Sequence, residues 1–147
     1  MSRIILLDAG PLGMVSHPRG NQAASEWLAN LLWRGMAVYV PEIADYEVRR
    51  ELLRANKSRG LQRLDETKDR LGYAPLTTDT MLRAAELWAR ARRTGRPTAD
   101  DAALDADVIL AAQAQMLVEE GNEVIIATTN VRHLSPLVDA RVWSAIS

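Results

Sequence analysis

Three short runs of apolar residues limit the fold more than any other feature of the chain: Ile4-Ile5-Leu6-Leu7, Ala37-Val38-Tyr39-Val40 and Val124-Ile125-Ile126. A strand with one wet face alternates apolar and polar residues, whereas a run that is apolar throughout is buried on both faces, as in a parallel sheet. Between the runs, apolar residues recur at helical spacing. Ala24, Trp27, Leu28, Leu31 and Leu32 mark a helix over 21–33; Ile43, Val48, Leu52 and Leu53 mark one over 42–56. Ser58 begins a third, to about Leu71, after a break near Asn56. Thr77 or Thr78 caps a fourth, lined by Met81, Leu82, Ala85, Leu87 and Trp88 and ended near Thr94 by Gly95-Arg96-Pro97. Val108, Ile109, Ala111, Ala112, Met116 and Leu117 mark a fifth, from about Leu104 to Glu120 after a loop rich in Asp and Ala. Gly35 and Gly121-Asn122 are stop signals, Pro41 suits a helix entry, and Val142 with Trp143 suggests a last short strand. Strands alternating with helices predict an α/β fold: a three-layer α/β/α sandwich around a mostly parallel central sheet. With 147 residues and no linker, repeat or low-complexity tract, residues 1–147 read as a single domain.

Composition removes whole classes of chemistry. There are no cysteines, which excludes disulfides, thiolate metal sites and cysteine nucleophiles. The two histidines, His17 and His133, are far apart in sequence and make a poor basis for a histidine-rich metal site. A hard cation held by carboxylate oxygens stays open. No apolar run approaches the ~20 residues that span a bilayer, and Ile4–Leu7 is too short for a signal-peptide core, so a cytoplasmic protein is expected.

A net charge of −1 carries no overall signature of nucleic-acid binding. Its distribution is more informative. Residues 46–63 hold six bases against two acids, and residues 98–120 hold six acids and no base. That pattern suits a protein holding cations at one point and polyanions beside it, although on charge alone solvated helix faces are the better explanation.

Ligands of open parallel sheets bind beyond the carboxyl ends of the strands, where strand order reverses. Asp8 directly follows the first apolar run, and Thr128-Thr129-Asn130 follow the last. Taken alone, each acid has a plainer explanation. Asp8 can turn the chain, Glu47 can be surface charge beside Glu42 and Asp45, and Asp107 at a helix start is favoured by the helix dipole. Together they occupy a strand end, an early helix and a helix start, which can converge on one edge. Converging carboxylates repel one another and persist only with a cation between them or with raised pKa values. Mg²⁺ or Mn²⁺ suits oxygen ligands, and the chemistry suggested is hydrolysis of a phosphodiester.

Four segments in order now resemble the PIN-domain family, specifically VapC-type toxin ribonucleases. Leu6-Leu7-Asp8-Ala9-Gly10-Pro11-Leu12 resembles its opening strand and first Asp. Pro41-Glu42-Ile43-Ala44-Asp45-Tyr46-Glu47-Val48-Arg49-Arg50-Glu51-Leu52 resembles its proline-entered helix with a Glu. Asp107-Val108-Ile109-Leu110-Ala111-Ala112-Gln113-Ala114 and Thr128-Thr129-Asn130-Val131-Arg132-His133-Leu134 resemble its third and fourth motifs. The segments cover almost the whole chain.

The resemblance implies a PIN-like doubly wound fold and Mg²⁺- or Mn²⁺-dependent endoribonuclease activity on single-stranded RNA (tRNA, mRNA or rRNA). It further implies the toxin role of a type II toxin–antitoxin pair, a small antitoxin protein as partner, a homodimer, and no membrane association. By motif, Asp8, Glu47 and Asp107 inherit catalysis and metal binding. Asn130 stands where many members have a fourth Asp, which puts a second metal in question. Asp105 is a further metal candidate only if it lies in a non-helical entry, because two residues along a helix turn the side chain about 200°. Arg49 and Arg50 are candidates for RNA or partner binding, and Thr128 for holding a carboxylate or phosphate. His133 reads as a packing or surface residue. Trp27 and Trp88 read as core, although tryptophans also stack bases. Two rivals stay open: a catalytically degraded PIN-fold module that binds RNA or protein, and a phosphotransfer fold with Asp8 as nucleophile. The second lacks an acid two residues on, where Gly10 stands.

Overall fold

The computed structural model describes residues 2–94 and 101–147. The helix stop at Gly95-Arg96-Pro97 and the acid Asp100 lie outside the described residues. Five parallel strands form one sheet in the order β3-β2-β1-β4-β5: β1 Arg3–Leu7, β2 Ala37–Pro41, β3 Gly72–Ala74, β4 Glu123–Thr128 and β5 Ala140–Val142. The helices are α1 Ala9–Val15, α2 Gln22–Trp33, α3 Glu42–Arg54, α4 Ser58–Arg70, α5 Thr78–Arg93, α6 Asp101–Glu119 and α7 Val131–Leu134. From β1 the chain winds outward through β2 to β3, then returns to the other side of β1 with β4 and moves outward again to β5. The order therefore reverses between β1 and β4, whose carboxyl ends are the expected location of a site.

The continuous apolar runs fill two faces. On β1 and β4, Ile5, Leu7, Ile125 and Ala127 pack into one core with Leu12, Leu28, Leu31 and Leu64 from α1, α2 and α4. The alternate residues Ile4, Leu6, Val124 and Ile126 pack into a second core with Leu110 and Ala114 of α6 and Leu134 of α7. A third cluster joins α5 to α6 through Leu87, Val108 and Ala111. This is the three-layer α/β/α arrangement. Burying one such Leu is worth roughly 1.5–3 kcal/mol, so both faces need their helices.

Several elements differ from the sequence reading. Pro11 lies inside α1, because the first turn of a helix tolerates a residue without an N–H. Strand β3 is only three residues long, too short to show periodicity. Helix α6 is already helical from Asp101, not from about Leu104. Trp27 lies in the core, with Nε1 donating to the Ile146 carbonyl at 2.9 Å and its ring edge-on to Trp143. Trp88, in contrast, is exposed, with the Arg92 guanidinium over its ring. Among the described residues no helix is long and apolar enough to cross a membrane.

Candidate active site

Asp8 is the first residue past β1 and caps α1. One carboxylate oxygen, Oδ1, accepts the Ala9 N–H at 2.7 Å; the other, Oδ2, accepts the Thr128 hydroxyl at 2.7 Å. Thr128 ends β4, is fully buried, and its Oγ1 in turn accepts the Asn130 N–H at 2.9 Å. The first residue of α1 and the last residue of β4 thus hold one carboxylate from both sides. Gly10 lets α1 approach the end of β4 closely: a Cβ there would come 2.9 Å from Thr129 Oγ1, so a side chain at this position would require the exposed Thr129 side chain to shift.

Glu47 lies one turn past the start of α3, which follows β2 with no intervening loop. Burial first, and then the charge of Asp8, push its carboxyl from 4.5 up to about 7; Arg50 opposes the shift and Asp107 adds to it. Asp107 approaches from α6. Its carboxyl rises from 3.8 to about 6, mainly by burial, with Asp8 adding to the rise and His133 opposing it. The structure therefore brings Asp8, Glu47 and Asp107 within electrostatic reach of one another at the carboxyl edge of the sheet. Because α6 starts at Asp101, Asp107 sits in the second turn, and helix-dipole stabilisation does not account for it.

The other residues singled out from the sequence divide. Asp105 lies within the regular helix α6 and is exposed, so it points away from Asp107 and takes no part in the cluster. Arg49 is committed elsewhere: it forks onto buried Asp45 with two 3.0 Å bonds and reaches Asp65 at 2.7 Å. Arg50 is exposed, stacks over Tyr46 at 5.2 Å, and is the base that acts on Glu47. Thr128 holds a carboxylate and, being fully buried, presents no surface to RNA. Asn130 makes no cap for α7 with its side chain; its Nδ2 lies 3.2 Å from His133 Nδ1.

His133 is the residue that the sequence reading set aside. Its Nδ1 stands 3.4 Å from Asp107 Oδ2. The available signal was its position three residues after Asn130, at the start of a helix following β4, on the same sheet edge as Asp8. The brevity of α7, four residues, hid it.

Among the described residues no three Asp, Glu or His groups stand close enough to enclose a metal ion as they are. The donor set still suits a divalent cation. Mg²⁺ is usually held through one or two carboxylates with waters completing its shell, and two carboxyls pushed upward by burial and mutual repulsion gain from a nearby positive charge. Beside Glu47 opens a cleft of about 830 Å³ between the α1–α2 connection and the α3–α4 corner. Gly13, Met14, Val48 and Leu52 line it, with Arg54 and Lys57 at its side.

No protein-family model matches the sequence, and no curated protein matches it. Solved structures do match the fold. VapBC2 from Rickettsia felis, crystallised bound to a DNA fragment from its promoter, aligns with a TM-score of 0.72 at 14% identity, covering 94% of this chain and 97% of that one. VapBC-1 from nontypeable Haemophilus influenzae aligns at 0.71 with 16% identity, covering 96% and 98%. FitAcB from Neisseria gonorrhoeae aligns at 0.66 with 21% identity, covering 92% and 95%. The sheet order, the carboxylate edge and these likenesses define a PIN-domain fold. Within that class it is the VapC-type fold.

Proposed function

We propose that this chain is a metal-dependent endoribonuclease acting on single-stranded RNA, and the toxin of a two-protein toxin–antitoxin pair. One observation carries the reading: three carboxylates from three separate elements lie within electrostatic reach of one another where strand order reverses, on a VapC-type fold, with Glu47 and Asp107 both pushed toward neutrality. Asp8, Glu47 and Asp107 are the residues that would hold Mg²⁺ or Mn²⁺. A cation bound there would supply positive charge for the phosphoryl oxygens and lower the pKa of a water.

The chain's own groups do the remaining work. Thr128 and the Ala9 N–H fix both oxygens of Asp8, so this carboxylate is oriented before substrate arrives. Glu47 orients the attacking water and accepts its proton at the carboxylate. Arg50 places a positive charge beside Glu47 for the scissile phosphate, and Arg54 and Lys57 line the path of the flanking backbone. The apolar floor of the cleft suits unstacked bases of a single strand rather than a duplex.

The partner we propose is a small antitoxin protein, because the matched folds come from structures of VapBC proteins. A second copy of this chain and a cytoplasmic setting belong to the same reading; exposed Met81 and Leu82 on α5 offer apolar surface for such pairing.

The test is cleavage of end-labelled single-stranded RNA with Mn²⁺ or Mg²⁺, with EDTA and Asp8→Asn as controls. Cutting that disappears in both controls supports the reading. RNA that is bound equally well in EDTA and never shortened favours a binding-only PIN module, the alternative to which Asn130, in place of a fourth acid, lends weight.

A further inference from the structure

Residues 108–114 of α6 are apolar with one exception, Gln113, and that side chain is buried at 3% exposure. Burying a carboxamide is unfavourable unless both its donor and its acceptor find partners. Here both do, on two different elements. Nε2 donates to the Ala74 carbonyl at 2.7 Å, at the end of β3, with the Pro75 carbonyl at 3.4 Å. Oε1 accepts the Ile43 N–H of α3 at 3.4 Å.

The contact with Ile43 fills a gap in α3. A helix leaves its first N–H groups without partners, and Pro41 at the N-cap makes no side-chain hydrogen bond to them. Gln113 supplies an acceptor from another helix. Glu42, the first residue of α3, completes the circuit: its Oε1 accepts the Leu76 N–H at 2.6 Å. Helix α3, the segment 74–76 and α6 are thus joined in a closed ring of hydrogen bonds. Around the ring, Ile43, Ala74, Leu110 and Ala114 share the second core. Apolar packing is non-directional, whereas the carboxamide demands a particular register. The ring lies one turn from Glu47 along α3 and about 9 Å from Asp107 along α6.

We propose that Gln113 is a positioning residue of the site: from α6 it caps α3 and clasps the end of β3, and so sets the gap between Glu47 and Asp107. The inference rests on the reading of these two acids as acting together on RNA. Gln113 acts only through the helices that carry them.

Hydrogen exchange followed by NMR, together with RNA cleavage, tests it on the full chain. In the unaltered protein the Gln113 side-chain amide should exchange about 100-fold more slowly than that of exposed Gln62. Gln113→Met keeps the length of the side chain and removes both hydrogen bonds; Gln113→Asn keeps the carboxamide one carbon short of its partners. In both, the Ile43 and Leu76 amides should exchange about tenfold faster. Single-turnover cleavage at saturating RNA should slow by about 10–100-fold, with the half-saturating RNA concentration within about twofold. Leu28→Ala, in the other core, is the control for lost stability, and where all variants are folded it should cut within about twofold of the unaltered rate. The unaltered protein decides the clasp whatever the variants do to folding: a rapidly exchanging Gln113 amide overturns the proposal. Gln113 variants that cut at the unaltered rate, or equal slowing in Leu28→Ala, also overturn it and leave the carboxylate site standing. No cutting by the unaltered protein overturns the nuclease reading and the proposal together.

Discussion

Replacing Glu47 by Gln should make the cation-free protein more stable above neutral pH, at the site where function is most at stake. Burial, and then the charge of Asp8, raise this carboxyl from 4.5 to about 7. In the interval between those values the folded chain keeps a proton that the unfolded chain has released. Stability is therefore lost as pH rises from about 4.5 through about 7, the reverse of a salt-bridged carboxylate. The difference of 2.5 (7 − 4.5) converts to ~3.4 kcal/mol at 1.36 kcal/mol for each tenfold step. Glu47 is only half-buried, and solvent screening reduces that to about 1.5–2 kcal/mol. Gln keeps the shape and removes the charge, so Glu47→Gln should gain about 1.5 kcal/mol at pH 8 and almost none at pH 4. In a chain of this size that is roughly 3–6 °C in Tm. Urea unfolding of both proteins in EDTA at pH 4 and pH 8 measures it. A variant that is less stable at pH 8, or a difference that does not change with pH, would refute the claim that Glu47 is an uncompensated buried charge.

Three further outcomes follow from the same geometry. Thr128→Val removes a buried hydroxyl that donates to a carboxylate and accepts the Asn130 N–H, and should cost about 2–4 kcal/mol in denaturant unfolding, whereas Thr128→Ser should cost about 1. Arg49→Ala weakens the pairing of buried Asp45, leaving Lys68 at 3.6 Å, and should lose about 2–3 kcal/mol of stability. Arg50→Ala should change stability by less than about 0.5 kcal/mol yet weaken RNA binding and lower its salt slope by about 0.7, the value for one phosphate contact on a single strand.

The parts legible in the sequence are those governed by periodicity and by local backbone chemistry. Ile4–Leu7 and Val124–Ile126 announced strands buried on both faces because every residue in them is apolar. Gly35 and Gly121 announced helix ends because both adopt positive φ, at 77° and 96°, where residues with a Cβ are disfavoured. Asn56, at φ 54°, marks the α3–α4 break for the same reason. What stayed hidden depends on contacts between distant residues. Strand β3 exists because Tyr39, Val40 and Pro41 pair with Gly72, Tyr73 and Ala74; three residues carry no period of their own. Among the site residues, a strand end and an early helix turn pointed to Asp8 and Glu47, but no local signal separates Arg49 from Arg50. Their roles are divided by Asp45 and Asp65, one on the same helix and one on the next. Asp105 and Asp107 were likewise separated only once the true start of α6 placed both on a regular helix. His133 read as a packing or surface residue because its partner, Asp107, lies on a different element across the sheet edge.

The central claim is that the carboxylates facing this edge, and not merely acids nearby, perform metal-dependent cleavage. The most direct measurement compares the rates at which Asp107→Asn and Asp105→Asn cut the same end-labelled RNA in Mn²⁺. The two positions share a helix and a chemistry and differ in the face they occupy. The account predicts a loss of about 100-fold or more for Asp107→Asn and a rate within about twofold of the unaltered protein for Asp105→Asn. Equal rates for the two variants, or a larger loss at Asp105, would contradict it.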